Sequence, residues 1–283
     1  MILIADSGST KSDWVLTNGG DEVTQFNTKG FNPFFHDEKF ILEHLSKVNQ
    51  LNGKLDKIKQ VFFYGAGCSS KEMNAIIESA LSKLFISANI NIDHDLMACA
   101  LSTYDGKPGI SCILGTGSNS CFYDGDQLNE EVPALGYILG DEGSGSYYGK
   151  KLLTDYLYKR LPEDIHLDLE KTFNISKSDI FENVYMKPDA NTYLASYMKF
   201  ISTHKSSEYI DNMITNGMKH FMQVHVCCYK KYLEVPCHFI GSVSFHFKEQ
   251  LFKAAKELNI SIGNVIKKPI DGLVDYHIKQ GLD

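Results

Sequence analysis

Twice in this chain a short apolar strand runs into a turn of glycine and hydroxyl residues and returns as a second strand. Ile2-Leu3-Ile4-Ala5 leads through Asp6-Ser7-Gly8-Ser9-Thr10-Lys11 to Trp14-Val15-Leu16. Residues 110–114 lead through Gly115-Thr116-Gly117-Ser118 to a strand over 119–123. No other feature constrains the fold as much, because a supersecondary unit that recurs at long spacing marks a repeated structural module. With 283 residues the chain is long enough for two domains of ordinary size, each opened by one copy.

The intervening pattern is α/β. Asn18-Gly19-Gly20-Asp21 is a hairpin turn signal, and residues 23–28 return as a third strand with antiparallel pairing. Phe40, Ile41, His44, Leu45 and Val48 predict a helix over 37–49. Residues 58–64 read as a buried strand closed by Gly65-Ala66-Gly67, and residues 70–86 as a helix. Ile90 and Ile92 mark a short strand, and Asp93-His94-Asp95 opens a helix running to Ser102. Residues 104–109, with Asp105-Gly106 and Pro108, form the best linker. Beyond the second copy, residues 144–232 read as mostly helical with breaks near Pro162 and Pro188. A strand over 238–241, a helix over 243–258 and a strand over 260–266 follow. After Pro269, Leu273, Tyr276 and His277 share one helical face.

Composition narrows the function. Hydrophobic residues make up 43% and charged residues 22%, the balance of a soluble globular protein. The net charge of −7, from 28 Lys+Arg against 35 Asp+Glu, argues against a nucleic-acid or anionic-membrane partner. The seven cysteines include no CxxC pair, and Cys99, Cys112, Cys121 and Cys237 sit among apolar residues. Free thiols in a reducing compartment are expected. No apolar run approaches the ~20 residues that span a bilayer. The first strand reaches Asp6 at once without a basic region, so no leader is expected and a cytoplasmic protein is the default.

Five constellations could carry chemistry. In Asp6–Lys11 a strand delivers a carboxylate into a turn of small residues. Gly8 admits close approach of a ligand to the backbone, and the Ser9 and Thr10 hydroxyls can help cradle a phosphate. Asp6 would then need a bridging Mg²⁺ or its water shell. An ordinary polar hairpin explains the same residues equally well, and the turn is not the Walker A pattern. Gly115-Thr116-Gly117-Ser118 repeats this physics. Asp95 is either a helix cap or a general base. Residues 136–145 hold four glycines, Asp141 and Glu142 before a helix. They are either a flexible loop with an N-cap or a loop whose carboxylates accept sugar hydroxyls, with Tyr137 against the ligand's apolar face. Gly241-Ser242-Val243-Ser244 is a strand-to-helix turn that could also support a flat ring.

Taken in order, these motifs resemble the actin-like ATPase superfamily of sugar kinases, actin and heat-shock chaperone ATPases, over nearly the whole chain. The DxGxT-type turn (Asp6, Gly8, Thr10), the GTG-type turn (Gly115, Thr116, Gly117) and the late Gly241 turn carry the likeness. Within it the chain is most similar to the N-acetylglucosamine kinase branch, grouped with BadF/BadG-type ATPases. There the telling residues are Asp6–Lys11 with Trp14, Gly30-Phe31-Asn32-Pro33, Asp95, Gly115–Asn119 and Gly140-Asp141-Glu142-Gly143-Ser144. The resemblance implies two ribonuclease H-like domains around a nucleotide and sugar cleft. They would be residues 1–107, with 270–283 packing back as a helix, and residues 108–269 with a helical insertion. It implies ATP and Mg²⁺ as cofactors, held by Asp6 (to the metal through water), Gly8, Ser9, Thr10, Lys11, Gly115, Thr116, Gly117, Gly241 and Ser242. Asn32, Asp95, Thr116, Tyr137 and Asp141 would contact the sugar, with Asp95 as the catalytic base. The partner implied is a small-molecule sugar, and a homodimer is compatible with it. Ser7 stands where the family often has Gly and is expected to tighten the phosphate turn. Tyr137 stands where the vertebrate-type enzyme has Trp.

The expected activity is therefore ATP-dependent phosphorylation of an amino sugar, N-acetylglucosamine at its 6-hydroxyl. One rival is a BadF-type ATP-driven switch, for which Cys68 and Cys112 form no recognisable iron–sulfur loop. The other is a non-catalytic sugar-binding regulator. A DNA-binding form of it would need an appended helix-turn-helix, whereas this chain begins at the first strand.

Overall fold

The structure is a computed structural model that describes residues 1–8, 11–20 and 22–280. The chain divides into two compact units, one formed by Met1–Asp105 with the segment that begins at Pro269, the other by Gly106–Lys268.

The first unit is built on β1 (Ile2–Ser7), β2 (Lys11–Thr17), β3 (Val23–Lys29), β4 (Gln60–Gly65) and β5 (Asn89–His94), in the order β3-β2-β1-β4-β5. The tight hairpins make β1, β2 and β3 antiparallel, with Ile4 opposite Val15 and Val15 opposite Gln25. Helical crossovers make β4 and β5 parallel to β1, as such connections must. They are α1 (Glu38–Leu45), capped by Asp37 through the Phe40 N–H at 2.8 Å, and α2 (Lys71–Leu84), capped by Ser70. The first helix stops at Leu45, short of the expected Ser46–Asn49 turn, which continues as a separate short turn over Asn49–Leu51. β5 runs directly into α3 (Asp95–Thr103).

Trp14 organises this core. It is fully buried, lies parallel to Phe26 at 5.8 Å and meets Phe31 edge-on at 6.2 Å. Its indole N–H donates to Thr28 Oγ1 at 3.0 Å, so its one polar atom is satisfied. The ring thus fixes Phe31, the residue before Asn32.

The second unit repeats the plan with β6 (Gly109–Leu114), β7 (Ser118–Tyr123), β8 (Leu128–Asn129), β9 (Cys237–Ile240) and β10 (Ile262–Ile266), in the order β10-β9-β6-β7-β8. β6 is antiparallel to β7 and parallel to β9. Strand for strand, this is the order of the first sheet. Between β8 and β9 lie α4 (Gly136–Leu139), α5 (Gly145–Leu157), α6 (Glu163–Phe173), α7 (Lys177–Phe181), a π-helical turn over Glu182–Met186, α8 (Ala190–Ser196), α9 (Met198–Thr203) and α10 (Glu208–His225). Their apolar faces close over β6 and β9 around Tyr148, Phe221 and Phe239. The helix expected over 243–258 is two, α11 (Ser242–His246) and α12 (Lys248–Glu257). Phe247 separates them because it leaves the helical region (φ −117°, ψ 40°) to bury its ring.

The final helix, α13 (Pro269–Lys279), returns to the first unit. A Cβ on Gly272 would lie 2.2 Å from the Ser102 carbonyl oxygen, so glycine is what lets α13 lie directly on α3. His277 stacks on Phe62 at 3.8 Å and meets the Tyr64 hydroxyl at 2.9 Å. Burial pushes its pKa down to about 4.

Candidate active site

In the first unit the carboxyl ends of three parallel strands lie side by side. Ser7 pairs with Gly65, and Gly65 with His94, so the turn after β1, the turn after β4 and the start of α3 follow one sheet edge. This end of an α/β sheet is where ligands bind. Asp6 is half-buried there, and the Gly8 N–H donates to the Lys11 carbonyl at 3.0 Å. Ser9 and Thr10, expected to hold phosphate, lie outside the described residues. The Lys11 ammonium sits 3.0 Å from Asp13 Oδ1.

The hydroxyl of Ser7 bonds on both sides of the turn that follows β1. It is buried, accepts from the Phe31 N–H at 2.9 Å and receives the Ser12 hydroxyl at 2.6 Å. The Ala66 N–H donates to the Ser7 carbonyl at 2.8 Å. Ser7 therefore ties β1 to the Asn32 loop and to the Gly65–Cys68 turn.

Two of the expected sugar ligands lie by that turn. Asn32 is 6% exposed and lies directly over Gly67, where a Cβ would come within 2.5 Å of Asn32 Oδ1. Gly67 also has φ +85°, so both its conformation and its missing side chain are needed to seat the amide. Asp95 is the first residue of α3. The N-cap is His94, which makes no side-chain cap, so Asp95 is not the capping residue. Its negative charge suits a helix N-terminus. Cys68, at the end of the same turn, is buried. Burial pushes its thiol up to about 12, and the nearby Asp95 and Asp93 carboxylates add to the effect. Asn32 and Asp95 thus approach one turn from two elements.

In the second unit the remaining motifs converge on the β6–β7 turn. The Gly145 N–H donates to the Gly115 carbonyl at 2.8 Å and the Ser146 N–H to the Thr116 carbonyl at 3.0 Å, which binds the turn to the start of α5. Ser144 caps that helix by accepting from the Tyr147 N–H. Gly241 has φ +124°, and a Cβ there would lie 2.3 Å from the Leu114 carbonyl oxygen. The late turn therefore packs backbone against backbone on the first, with Ser242 exposed at the start of α11.

Asp141 stands over this turn. It is only 9% exposed, in the left-handed region (φ 57°), and its Oδ1 accepts from the Ser118 N–H at 3.1 Å. A Cβ on Gly117 would come within 3.0 Å of both carboxylate oxygens. Burial raises the Asp141 pKa above the usual carboxylate range and Glu142 adds to this, while the Ser118 N–H, the Ser146 hydroxyl and Lys150 oppose it. Tyr137 is half-buried on α4, and the Lys150 ammonium donates to its carbonyl at 2.8 Å.

Two glycines are not required by the fold. At Gly8 a Cβ would make only ordinary contact, 3.5 Å from the Lys11 carbonyl oxygen, and at Gly115 it would meet only the Gly117 carbonyl oxygen at 3.9 Å. Neither has positive φ. Among the described residues, what their missing side chains leave is open space over backbone, which suits the close approach of a phosphate chain. The buried Ser118 hydroxyl, with no partner in the second turn, is a further polar group such a ligand could use. Among the described residues no three His, Cys, Asp or Glu side chains group as a metal site. Asp6, a half-buried carboxylate at the carboxyl end of β1, is an oxygen donor of the kind that suits Mg²⁺ bound through water.

Sequence reasoning missed the Gly65–Cys68 turn as part of the site. Its signal is Gly65-Ala66-Gly67 immediately after a buried strand, a pattern that also marks an ordinary strand end.

The chain matches the crystal structure of a candidate N-acetylglucosamine kinase from Porphyromonas gingivalis at 36% identity, with 100% of both chains covered and a TM-score of 0.94. A candidate N-acetylglucosamine kinase from Chromobacterium violaceum has a TM-score of 0.75 at 15% identity, covering 97% of this chain and 98% of that one, a likeness of fold. Over 116 residues, 41% of this chain, the sequence is 28% identical to the N-acetylmuramic acid/N-acetylglucosamine kinase of Clostridium acetobutylicum. That match spans 37% of the curated relative's length. No family model matches the chain. Its fold is that of the two-domain actin-like ATPases that include the sugar kinases. Within them, the chain belongs to the N-acetylglucosamine kinase family.

Proposed function

We propose that this protein transfers the γ-phosphoryl group of ATP to the 6-hydroxyl of an amino sugar, N-acetylglucosamine first among them. The observation that carries the reading is the full-length likeness to the P. gingivalis protein, at 36% identity. The convergence of Asn32 and Asp95 on the Gly65–Cys68 turn agrees with it.

In the reaction, the hydroxyl oxygen bonds to the γ-phosphorus as the bond to the β,γ-bridging oxygen breaks and ADP leaves. Asp95 accepts the hydroxyl proton, help that is typically worth about 10²–10⁴-fold. Asn32 and Asp141, with Tyr137 and Thr116, orient the sugar. Gly8, Ser9, Thr10, Lys11, Gly115, Thr116, Gly117, Gly241 and Ser242 hold the nucleotide, the turn amides meeting its phosphates. For Lys11 this requires the ammonium to leave Asp13. Mg²⁺, when bound, would neutralise phosphate charge, and Asp6 would be the residue to hold it, through water.

The BadF-type alternative gains nothing from the thiols, since Cys68 lies in the core of the first unit and Cys112 in that of the second. ADP release from a panel of hexoses and hexosamines tests the proposal. Release that depends on an amino sugar supports it, and sugar-independent ATP hydrolysis counts for the switch.

A further inference from the structure

Phe34 and Phe35 are large apolar side chains left 62% and 78% exposed on the loop that begins at Asn32. Adjacent exposed aromatics beside a polar binding group mark a contact surface rather than a packing residue. The loop is not loose. Pro33 restricts the backbone, the Phe35 and His36 N–H groups donate to the Asn32 carbonyl at 3.0 and 2.9 Å, and Asp37 caps α1.

Phe34 differs from Phe35 in being tied to the site itself. Its N–H donates to Asn32 Oδ1 at 3.0 Å, so the Asn32 amide and the Phe34 backbone move as one piece. Its ring lies against the Gly65–Cys68 turn, where a Cβ on Gly67 would stand 3.0 Å from Phe34 Cδ2. Asp95 follows His94, the β5 partner of Gly65, and so lies beside that same turn. Among the described residues the ring has no aromatic partner.

We infer that Phe34 is the aromatic wall of the sugar subsite and sets its specificity by stacking on the C–H face of the pyranose that Asn32 holds. A pyranose with equatorial hydroxyls presents axial C–H bonds on its faces, an apolar surface that an aromatic face attracts. The ligand class this face selects is a pyranose with equatorial substituents rather than an acyclic polyol, which has no such face. The inference rests on the proposed sugar-kinase reading and adds a residue to it.

Calorimetric titration of N-acetylglucosamine into the intact chain, beside steady-state kinetics, tests the wall. With Phe34→Ala, Kd and KM for the sugar should rise roughly three- to tenfold, with kcat and the KM for ATP unchanged. Phe34→Tyr should stay near wild type, since it keeps the flat ring. Phe34→Leu keeps the bulk without the ring and should fall with Ala. An unchanged Tm for all three, expected of a side chain this exposed, excludes a folding effect. Unchanged sugar affinity in Phe34→Ala, or Leu as good as Tyr, overturns the wall. Wild type that binds the sugar but releases no ADP overturns the kinase reading, while a Phe34-dependent Kd still supports the wall. Wild type that binds no sugar overturns both.

Discussion

Asp95 and Asp141 are both carboxylates at helix-side turns, yet their surroundings give them different expected roles. Asp95 follows a capping position it does not occupy, so its loss should not cost a cap. Asp95→Asn keeps the shape and can still hydrogen-bond a hydroxyl but cannot take its proton. We expect kcat to fall about 10²–10⁴-fold with near-normal ATP binding and Tm, measured at saturating sugar. A kcat close to wild type would remove Asp95 from the chemistry. Asp141 is held above the ordinary carboxylate range, chiefly by burial. The folded chain therefore binds that proton more tightly than the unfolded chain does. The stability associated with this group is full below the ordinary range near ~4 and is lost as pH rises through the raised folded value. Asp141→Asn should accordingly raise Tm at neutral pH, with the gain shrinking toward zero in acid, while raising KM for sugar at least as much as it lowers kcat. A Tm that falls at neutral pH would show that the ionised carboxylate stabilises the Ser118 turn more than its burial costs.

At the scale of elements, glycines separate ligand space from structural need. Among the described residues Gly8→Ala and Gly115→Ala meet no close neighbour, so Tm should hold while KM for ATP rises. Gly241→Ala would force a Cβ onto the Leu114 carbonyl at φ +124°, which should destabilise the protein by about 1–3 kcal/mol. Thermal melts and ATP titrations of the three variants read both effects, and the same response from all three would contradict the distinction. The elements legible in the sequence were those with local causes. The β1–β2 and β6–β7 hairpins showed in apolar runs interrupted by glycine and hydroxyl residues. The N-terminus of α2 followed from Ser70 before an apolar helical face. β8 is two residues long and carries no period to detect. The break at Phe247 has no local signal, because a tertiary contact sets it when the ring buries. The family resemblance implies Asn32 and Asp95 as ligands, but sequence does not show that both lie by the Gly65–Cys68 turn, because β1, β4 and β5 are brought together by parallel pairing across long sequence separations.

For the whole molecule, the repeat seen in sequence is carried by topology: both five-stranded sheets have the same strand order relative to their opening hairpin. Each unit encloses its own apolar cluster, one around Trp14 and Phe63, the other around Tyr148 and Phe239. Among the described residues no helix is long and apolar enough to cross a membrane. None of the seven cysteines forms a disulfide, and only Cys227 and Cys228 are less than fully buried. Thiol titration should thus show at most these two reacting quickly in the native protein and seven after denaturation without reductant. Fewer than seven in denaturant would mean cross-links that the structure does not contain.

The account stands most directly on sugar-dependent phosphoryl transfer. Purified protein with ATP, Mg²⁺ and N-acetylglucosamine should yield equal amounts of ADP and a hexosamine monophosphate, with the phosphate on the C6 oxygen by ³¹P–¹H correlation. Omission of the sugar should abolish ADP release. ADP formed at the same rate with and without sugar, or a phosphate on any other oxygen, would contradict the account.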